Sequence, residues 1–144
     1  MAEANLITGN SARTLNRPEL ARSSYSETIR LSQGEYGAEA LFGLAEMSFQ
    51  DKDYKNAEKY IFKLTGDYAS YDYWVAKAFI LLSDVYLKTG NTFQAKQTLQ
   101  SIIDNYDGQD LKKIAGEKLA QLEQLEGIQP GSQEFDDEDG IIIR

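Results

Sequence analysis

The side chains that most often carry enzyme chemistry are missing from this sequence, which has no histidine and no cysteine. Their absence removes imidazole acid–base catalysis, thiol nucleophiles, disulfides and zinc-type sites. Carboxylates are plentiful, but pairs such as Glu39 and Glu46 stand without a nucleophile or a base placed by any motif. We interpret them as solvated charges on helix faces. We therefore expect no catalytic residue and no cofactor.

The acidic run Asp136–Gly140 is the stretch that suggests metal binding. A calcium loop with Gly140 at its sharp turn needs an acid where Phe135 stands, and a glutamate at a position that the sequence does not contain. We expect no metal site. Residues 127–144 hold five acidic residues and one arginine, which is typical of an acidic tail. The apolar residues Phe135 and Ile141–Ile143 predict that this tail docks in extended form.

Length and charge limit the remaining classes of function. The chain has 144 residues, which suggests one domain. Its net charge of −8 disfavours nucleic acid as a partner, because phosphates need a footprint of Lys and Arg. No apolar run approaches the ~20 residues of a membrane span, and no signal peptide is visible. We therefore expect neither nucleic-acid binding nor membrane insertion.

Residues 38–106 repeat themselves at a spacing of 38 residues. A fixed period of this size is typical of helical repeats, in which each helical hairpin stacks on the next. The sequence thus predicts an all-α fold, a short right-handed α-solenoid of antiparallel helical hairpins with about six or seven helices. The matching pairs are Leu41 and Phe79, Leu44 and Leu82, Ala45 and Ser83, Phe49 and Leu87, Ala57 and Ala95, Ile61 and Leu99, Leu64 and Ile102, Tyr68 and Tyr106.

Capping residues predict where several helices begin and end. Gly9 and Asn10 are interpreted as the stop of a first helix, followed by a loop at 11–16. Asn16 is the predicted N-cap of the second helix, with Pro18 in its first turn.

Later in the chain, Asp53 and Asn91 are predicted N-caps, whereas Gly66 and Gly90 are predicted to end helices. The elements group into residues 1–34 as a degenerate or truncated N-terminal repeat, 35–108 as two clear repeats, 109–126 as a C-terminal capping helix and 127–144 as the acidic tail.

The pattern within residues 38–107 resembles the tetratricopeptide repeat (TPR) family, whose 34-residue helix–turn–helix unit has small residues where its helices cross. The small positions here are Ala45 and Ala57, then Ser83 and Ala95.

The chain departs from the family pattern at Ser48, Ala69 and Asp107 and in its longer spacing. Such longer units resemble the TPR proteins of Gram-negative cell envelopes. By that likeness, a fragment of an envelope protein would be located in the periplasm or cell envelope, and any other TPR protein in the cytoplasm.

The resemblance implies a non-catalytic protein–protein interaction module or scaffold with a concave groove for a protein or peptide. The family's chaperone-binding members clamp a C-terminal carboxylate there, but Glu46 and Asp84 occupy two clamp positions in this chain, so we expect no such clamp. The first helices of the repeats would line the groove, through Glu39, Phe42, Glu46, Phe49, Gln50, Tyr73, Lys77, Ile80, Asp84, Leu87 and Lys88.

Two other functions are compatible with the sequence. The chain could be a structural C-terminal portion of a larger TPR solenoid with no binding role, which apolar surface at the N-terminal end would favour. An enzyme would show a pocket with converging polar groups and shifted pKa values. Self-association through the N-terminal end or the C-terminal tail is also open.

The densest aromatic cluster spans residues 68–74. Trp74 shares a helical face with Ala78, so core packing is the favoured interpretation for its side chain. For Tyr71 and Tyr73, packing and an exposed ledge for a partner are equally open, since tyrosine is enriched at interaction hot spots.

Overall fold

The computed structural model of the protein describes residues 1–127, which form seven α-helices and no β-strand. The predicted all-α class is therefore confirmed. The chain divides into two compact units, Met1–Thr98 and Leu99–Arg144. The helices are α1 (Ala2–Thr14), α2 (Pro18–Leu31), α3 (Glu35–Gln50), α4 (Tyr54–Asp67), α5 (Asp72–Lys88), α6 (Thr92–Asn105) and α7 (Gln109–Gly127).

Helices of the N-terminal unit pack as successive hairpins. α1 contacts α2, and α3 contacts α4, within each hairpin. α1 also contacts α3, and α3 contacts α5, so the first helices of the hairpins are neighbours. We call the surface formed by α1, α3 and α5 the first-helix face.

Small residues allow the helices to approach closely. Ala45, Ala57 and Ala95 are fully buried, as the repeat register predicts. Leu41 and Ile61 are also fully buried and belong to the core shared by α3, α4 and α5. Because protein interiors are close-packed, a larger side chain at these alanines would force the backbones apart.

The first helix is longer than the sequence pattern predicts. α1 continues through the predicted stop at Gly9 and Asn10 and through most of the predicted loop at 11–16, so both predictions are wrong. The physical reason is packing, because a Cβ atom at Gly9 would lie 2.8 Å from Cδ1 of Tyr25. Gly9 serves a close approach between α1 and α2 rather than a helix end.

Two further predictions of helix ends are wrong. Arg17, not Asn16, precedes α2, and no side chain caps the first turn of this helix. Asn16 instead takes a left-handed conformation, with φ of 59°, in the turn between α1 and α2. Gly66 lies inside α4, where an added Cβ atom would meet open space, so nothing there obliges the helix to end.

Other local predictions are confirmed. The carboxylate of Asp53 accepts a hydrogen bond of 3.3 Å from the backbone N–H of Asn56 and so caps α4. Gly90 follows α5 with a φ of 83°, a conformation that glycine adopts without steric cost. Pro18 stands in the first turn of α2, where its missing N–H costs no hydrogen bond.

The C-terminal unit contains the end of α6 and all of α7. Leu99, Ile102, Leu111 and Ala115 are buried residues of this unit, whereas Leu125 is exposed near the end of α7. The predictions of a docked tail and of no calcium site concern residues that lie outside the described range. Within residues 1–127, every helix is too short or too polar for a transmembrane span.

Candidate partner-binding face

The edge of the first-helix face between α1 and α3 is polar. Asn10 donates a 3.3 Å hydrogen bond from Nδ2 to Oε2 of Glu39. Arg13 forms an ion pair with Glu46, with 2.9 Å between Nη1 and Oε1. Both glutamates that the sequence assigned to the groove are therefore already paired with residues of α1.

A buried tyrosine of α2 supports this polar edge from beneath. The hydroxyl of Tyr25 donates to Oδ1 of Asn10 at 2.6 Å. Its ring lies between two glycines: a Cβ atom would come within 2.8 Å of the ring at Gly9 and within 2.7 Å at Gly43. Only a hydrogen atom fits at either position, which lets α1 and α3 both approach the ring.

Ionisation of the polar edge is set by burial and pairing together. Burial raises the pKa of the Tyr25 hydroxyl, against the opposite influence of the Arg13 guanidinium. For Arg13, burial acts to lower the pKa, but hydrogen bonds to Glu46 and Tyr25 raise it overall. At neutral pH the tyrosine is consequently neutral and the arginine charged, so the network is intact.

Two clefts open beside Arg13, but their charges are largely matched internally. Arg13 pairs with Glu46, and Arg22 pairs with Asp51 at 2.8 Å. One cleft of about 160 Å³ is lined by Arg13, Asn16, Arg17, Pro18, Arg22, Met47, Gln50 and Asp51. The other is lined by Asn10, Arg13, Thr14, Tyr25 and Gln50.

The opposite edge, between α3 and α5, is aromatic. The rings of Phe42 and Trp74 have centroids 5.8 Å apart, and Tyr73 meets Trp74 edge-on at 5.1 Å. The ammonium nitrogen of Lys77 lies 5.0 Å from the Phe42 centroid, 5.2 Å from that of Trp74 and 5.6 Å from that of Tyr73. These four residues form what we call the lysine–aromatic cluster.

The cluster is anchored from both sides. Phe42 is only 7% exposed and belongs to the core of the N-terminal unit. Trp74 packs against that core and donates a 3.1 Å hydrogen bond from Nε1 to Oε2 of Glu35. Tyr73, at 39% exposure, is the member most open to solvent.

The predicted groove residues thus fall into separate groups. Phe42, Tyr73 and Lys77 meet in the lysine–aromatic cluster, and Glu39 and Glu46 meet α1. Among the others, Gln50 and Lys88 are exposed, whereas Phe49, Ile80, Asp84 and Leu87 are half-buried.

Phe49 turns away from the cluster. Its ring lies 5.5 Å from that of Tyr54, at the start of α4. Trp74 is half-buried, in keeping with the packing expected for it. Tyr71 packs near Tyr68, with 6.5 Å between centroids, so of the two open cases Tyr71 is a packing residue and Tyr73 an exposed one.

Sequence reasoning missed the contribution of α1. The signal was present: Leu6, Gly9 and Ala12 recur every three residues and are buried, as on one face of a helix. A predicted helix end at Gly9 leaves Ala12 outside the helix, so the stripe is not recognised. Asn10 and Arg13 are then not assigned to a helix face.

The groups on this face are suited to non-covalent contacts with a partner. The described groups include aromatic rings, hydrogen-bonded carboxylates, the guanidinium group of Arg13 and the ammonium group of Lys77. Within residues 1–127, no cluster of acidic residues is arranged to hold a metal ion.

Comparisons with known proteins agree with this architecture. Residues 77–108 match the sequence profile of the tetratricopeptide repeat. The N-terminal domain of stress-induced protein-1 (STI-1) from C. elegans has a similar structure, with a TM-score of 0.69 and 20% identity over 85% of this chain and 94% of that chain. The chain therefore contains a tetratricopeptide repeat within residues 77–108. At this identity the structural likeness to STI-1 shows the fold alone, and no curated protein matches the chain in sequence.

Proposed function

We propose that the protein is a non-catalytic module that binds a peptide segment of a protein partner on its first-helix face. TPR domains are generally non-catalytic interaction modules, and their fold implies protein partners. The observation that carries the proposal is the lysine–aromatic cluster. In it the packed rings of Phe42 and Trp74 support an exposed tyrosine, Tyr73, at the surface of α3 and α5. Rigid, partly exposed aromatic side chains are typical anchors of interfaces.

A selection from random twelve-residue peptides displayed on phage tests this proposal. Peptides that bind should be lost with Tyr73→Ala, which truncates the exposed member of the cluster. Phe62→Ala is the matched control, because Phe62 is 47% exposed but lies on α4, outside the first-helix face. Enriched peptides that bind the Tyr73→Ala and wild-type proteins equally would contradict the proposed face, and a selection without enriched peptides would contradict peptide binding.

A second candidate is a structural role in which the α1–α2 hairpin stacks on helices of another chain. The observation that favours it is a set of exposed apolar side chains on this hairpin, Ile7, Leu15, Leu20 and Leu31. Sedimentation velocity at rising protein concentration tests self-stacking. Association that Leu15→Asp abolishes would support it, whereas a monomer at all concentrations would oppose it.

A further inference from the structure

The ammonium group of Lys77 is held in a fixed place on the first-helix face. Three ring centroids lie between 5.0 and 5.6 Å from its nitrogen, which is the range of cation–π attraction. Phe42 is buried and Trp74 is hydrogen-bonded to Glu35, so two of the three rings are themselves fixed. The lysine side chain therefore loses much of its conformational freedom before any partner arrives.

This ammonium has no acidic partner within residues 1–127. Three glutamates of α3 are engaged with other residues: Glu35 accepts from Trp74, Glu39 accepts from Asn10, and Glu46 pairs with Arg13. Aromatic rings attract the ammonium without consuming its charge, and they leave its N–H groups to donate hydrogen bonds. The cluster is thus a positioned cation beside an apolar surface.

We propose that Lys77 determines the specificity of the face by pairing with an acidic side chain inside the partner peptide, next to an apolar residue that packs on Tyr73. This inference rests on the proposed function. Charge complementarity favours an acidic group, because a basic one would meet the ammonium of Lys77. Pre-positioning favours selectivity, since less side-chain entropy is lost when the pair forms.

The experiment uses the full chain and the same phage-displayed peptides. Fusion through their C-terminal ends means that no peptide offers a free terminal carboxylate, so any acid read by the protein is a side chain. Binders should be enriched in Asp or Glu beside an apolar residue. Synthesised with an amidated end, an enriched peptide should lose about tenfold in affinity when its acidic residue is replaced by the matching amide.

Variants of the protein test the same loss of affinity from the side of Lys77. Lys77→Gln should weaken the acidic peptide about tenfold and remove the difference between the acidic and amide peptides. Lys59→Gln removes the same charge from an exposed site on α4, outside the first-helix face, and should change affinity less than twofold. Lys77→Arg keeps a cation that stacks on the rings, and binding should be retained.

Two outcomes separate this inference from the proposed function. If peptides bind through Tyr73 but Lys77→Gln leaves their affinity unchanged, Lys77 is a structural residue and the inference is wrong, while the binding face stands. If no peptide is enriched, or Tyr73→Ala has no effect, both proposals fail. Melting curves of each variant show whether it is folded under the conditions of the binding measurement.

Discussion

The two edges of the first-helix face use the same helix, α3, in opposite ways. Toward α1, its glutamates are paired with Asn10 and Arg13 over a buried tyrosine. Toward α5, its Phe42 enters an aromatic cluster that holds Lys77 without a carboxylate from the described residues. A charged residue on a helix face is therefore not always free to bind a partner. At one edge both glutamates are hydrogen-bonded to α1, and at the other the ammonium group of Lys77 is held by aromatic rings.

The largest effect on stability should come from truncating Phe42, the buried ring of the lysine–aromatic cluster. Phe42→Ala removes a buried aromatic ring and should lower the free energy of unfolding by about 3–5 kcal/mol. Tyr73→Ala, which truncates the exposed member of the same cluster, should cost about 1 kcal/mol or less. Urea unfolding of both variants measures the difference. An equal loss of free energy of unfolding in both variants would contradict the assignment of Phe42 as a core residue and Tyr73 as a surface contact residue.

A slightly smaller loss of stability is expected where α3 packs on Tyr25, beneath the polar edge. Gly43→Ala places a methyl group 2.7 Å from the ring of Tyr25, which Gly9 blocks on its other side, and should destabilise by about 1–3 kcal/mol.

The same substitution in open space provides the control. Gly66→Ala adds a methyl group without a clash inside α4 and should stabilise by about 0.5–1 kcal/mol through helix propensity alone. Thermal unfolding reports both signs. If Gly43→Ala also stabilised the protein, the close approach of α3 to Tyr25 would be refuted.

Alkaline pH should weaken the polar edge. Burial raises the pKa of Tyr25 in the folded state, so the unfolded chain loses this proton first as pH rises above about 10. The stability contributed below that pH is therefore lost as pH rises through the folded-state pKa.

Tyr25→Phe should remove part of this alkaline loss and cost about 1 kcal/mol at neutral pH, because Asn10 loses a donor. Burial also raises the pKa of Tyr68 and Tyr86, so some alkaline loss should persist. Urea unfolding between pH 7 and pH 11 measures both effects, with Tyr36→Phe as an exposed control. An unchanged pH dependence in Tyr25→Phe would argue against the buried hydroxyl.

The smallest effect concerns the ion pair of the polar edge. A double-mutant cycle on Arg13 and Glu46 should give a coupling free energy of about 0.5–1 kcal/mol, because the pair is only partly exposed. The exposed pair of Arg30 and Glu27, within α2, should couple more weakly and lose its coupling in high salt. Equal coupling in both pairs would show that partial burial adds nothing to the pair on the face.

Much of the architecture followed from local rules. The recurrence of Ala45, Ala57, Ser83 and Ala95 predicted the buried crossings, because a helical hairpin admits only small residues where its backbones meet. Asp53 and Gly90 also kept their predicted roles, since capping depends on a few neighbouring backbone groups. The localisation, in the periplasm or cell envelope for a fragment of an envelope protein and otherwise in the cytoplasm, and the boundaries of the repeats stay predictions.

Two of the wrong predictions concern glycines that lie inside helices. Gly9 has a glycine's local signal for a helix end, but its role depends on a tyrosine sixteen residues later in another helix. Gly66 carries the same signal, yet α4 continues through it. A local rule cannot tell a glycine that ends a helix from one that admits a ring, because only the packing distinguishes them.

By itself, then, the sequence determined the helices, their period and the small residues that let them stack, because each depends on short-range spacing along one chain. Tertiary structure decided which charges are free. Glu39, Glu46 and Lys77 look alike as exposed charges on first helices, and only the neighbouring helices show that the glutamates are paired and the lysine is held by rings. The physical reason is that pairing and cation–π attraction act over a few ångströms between groups that lie far apart in sequence.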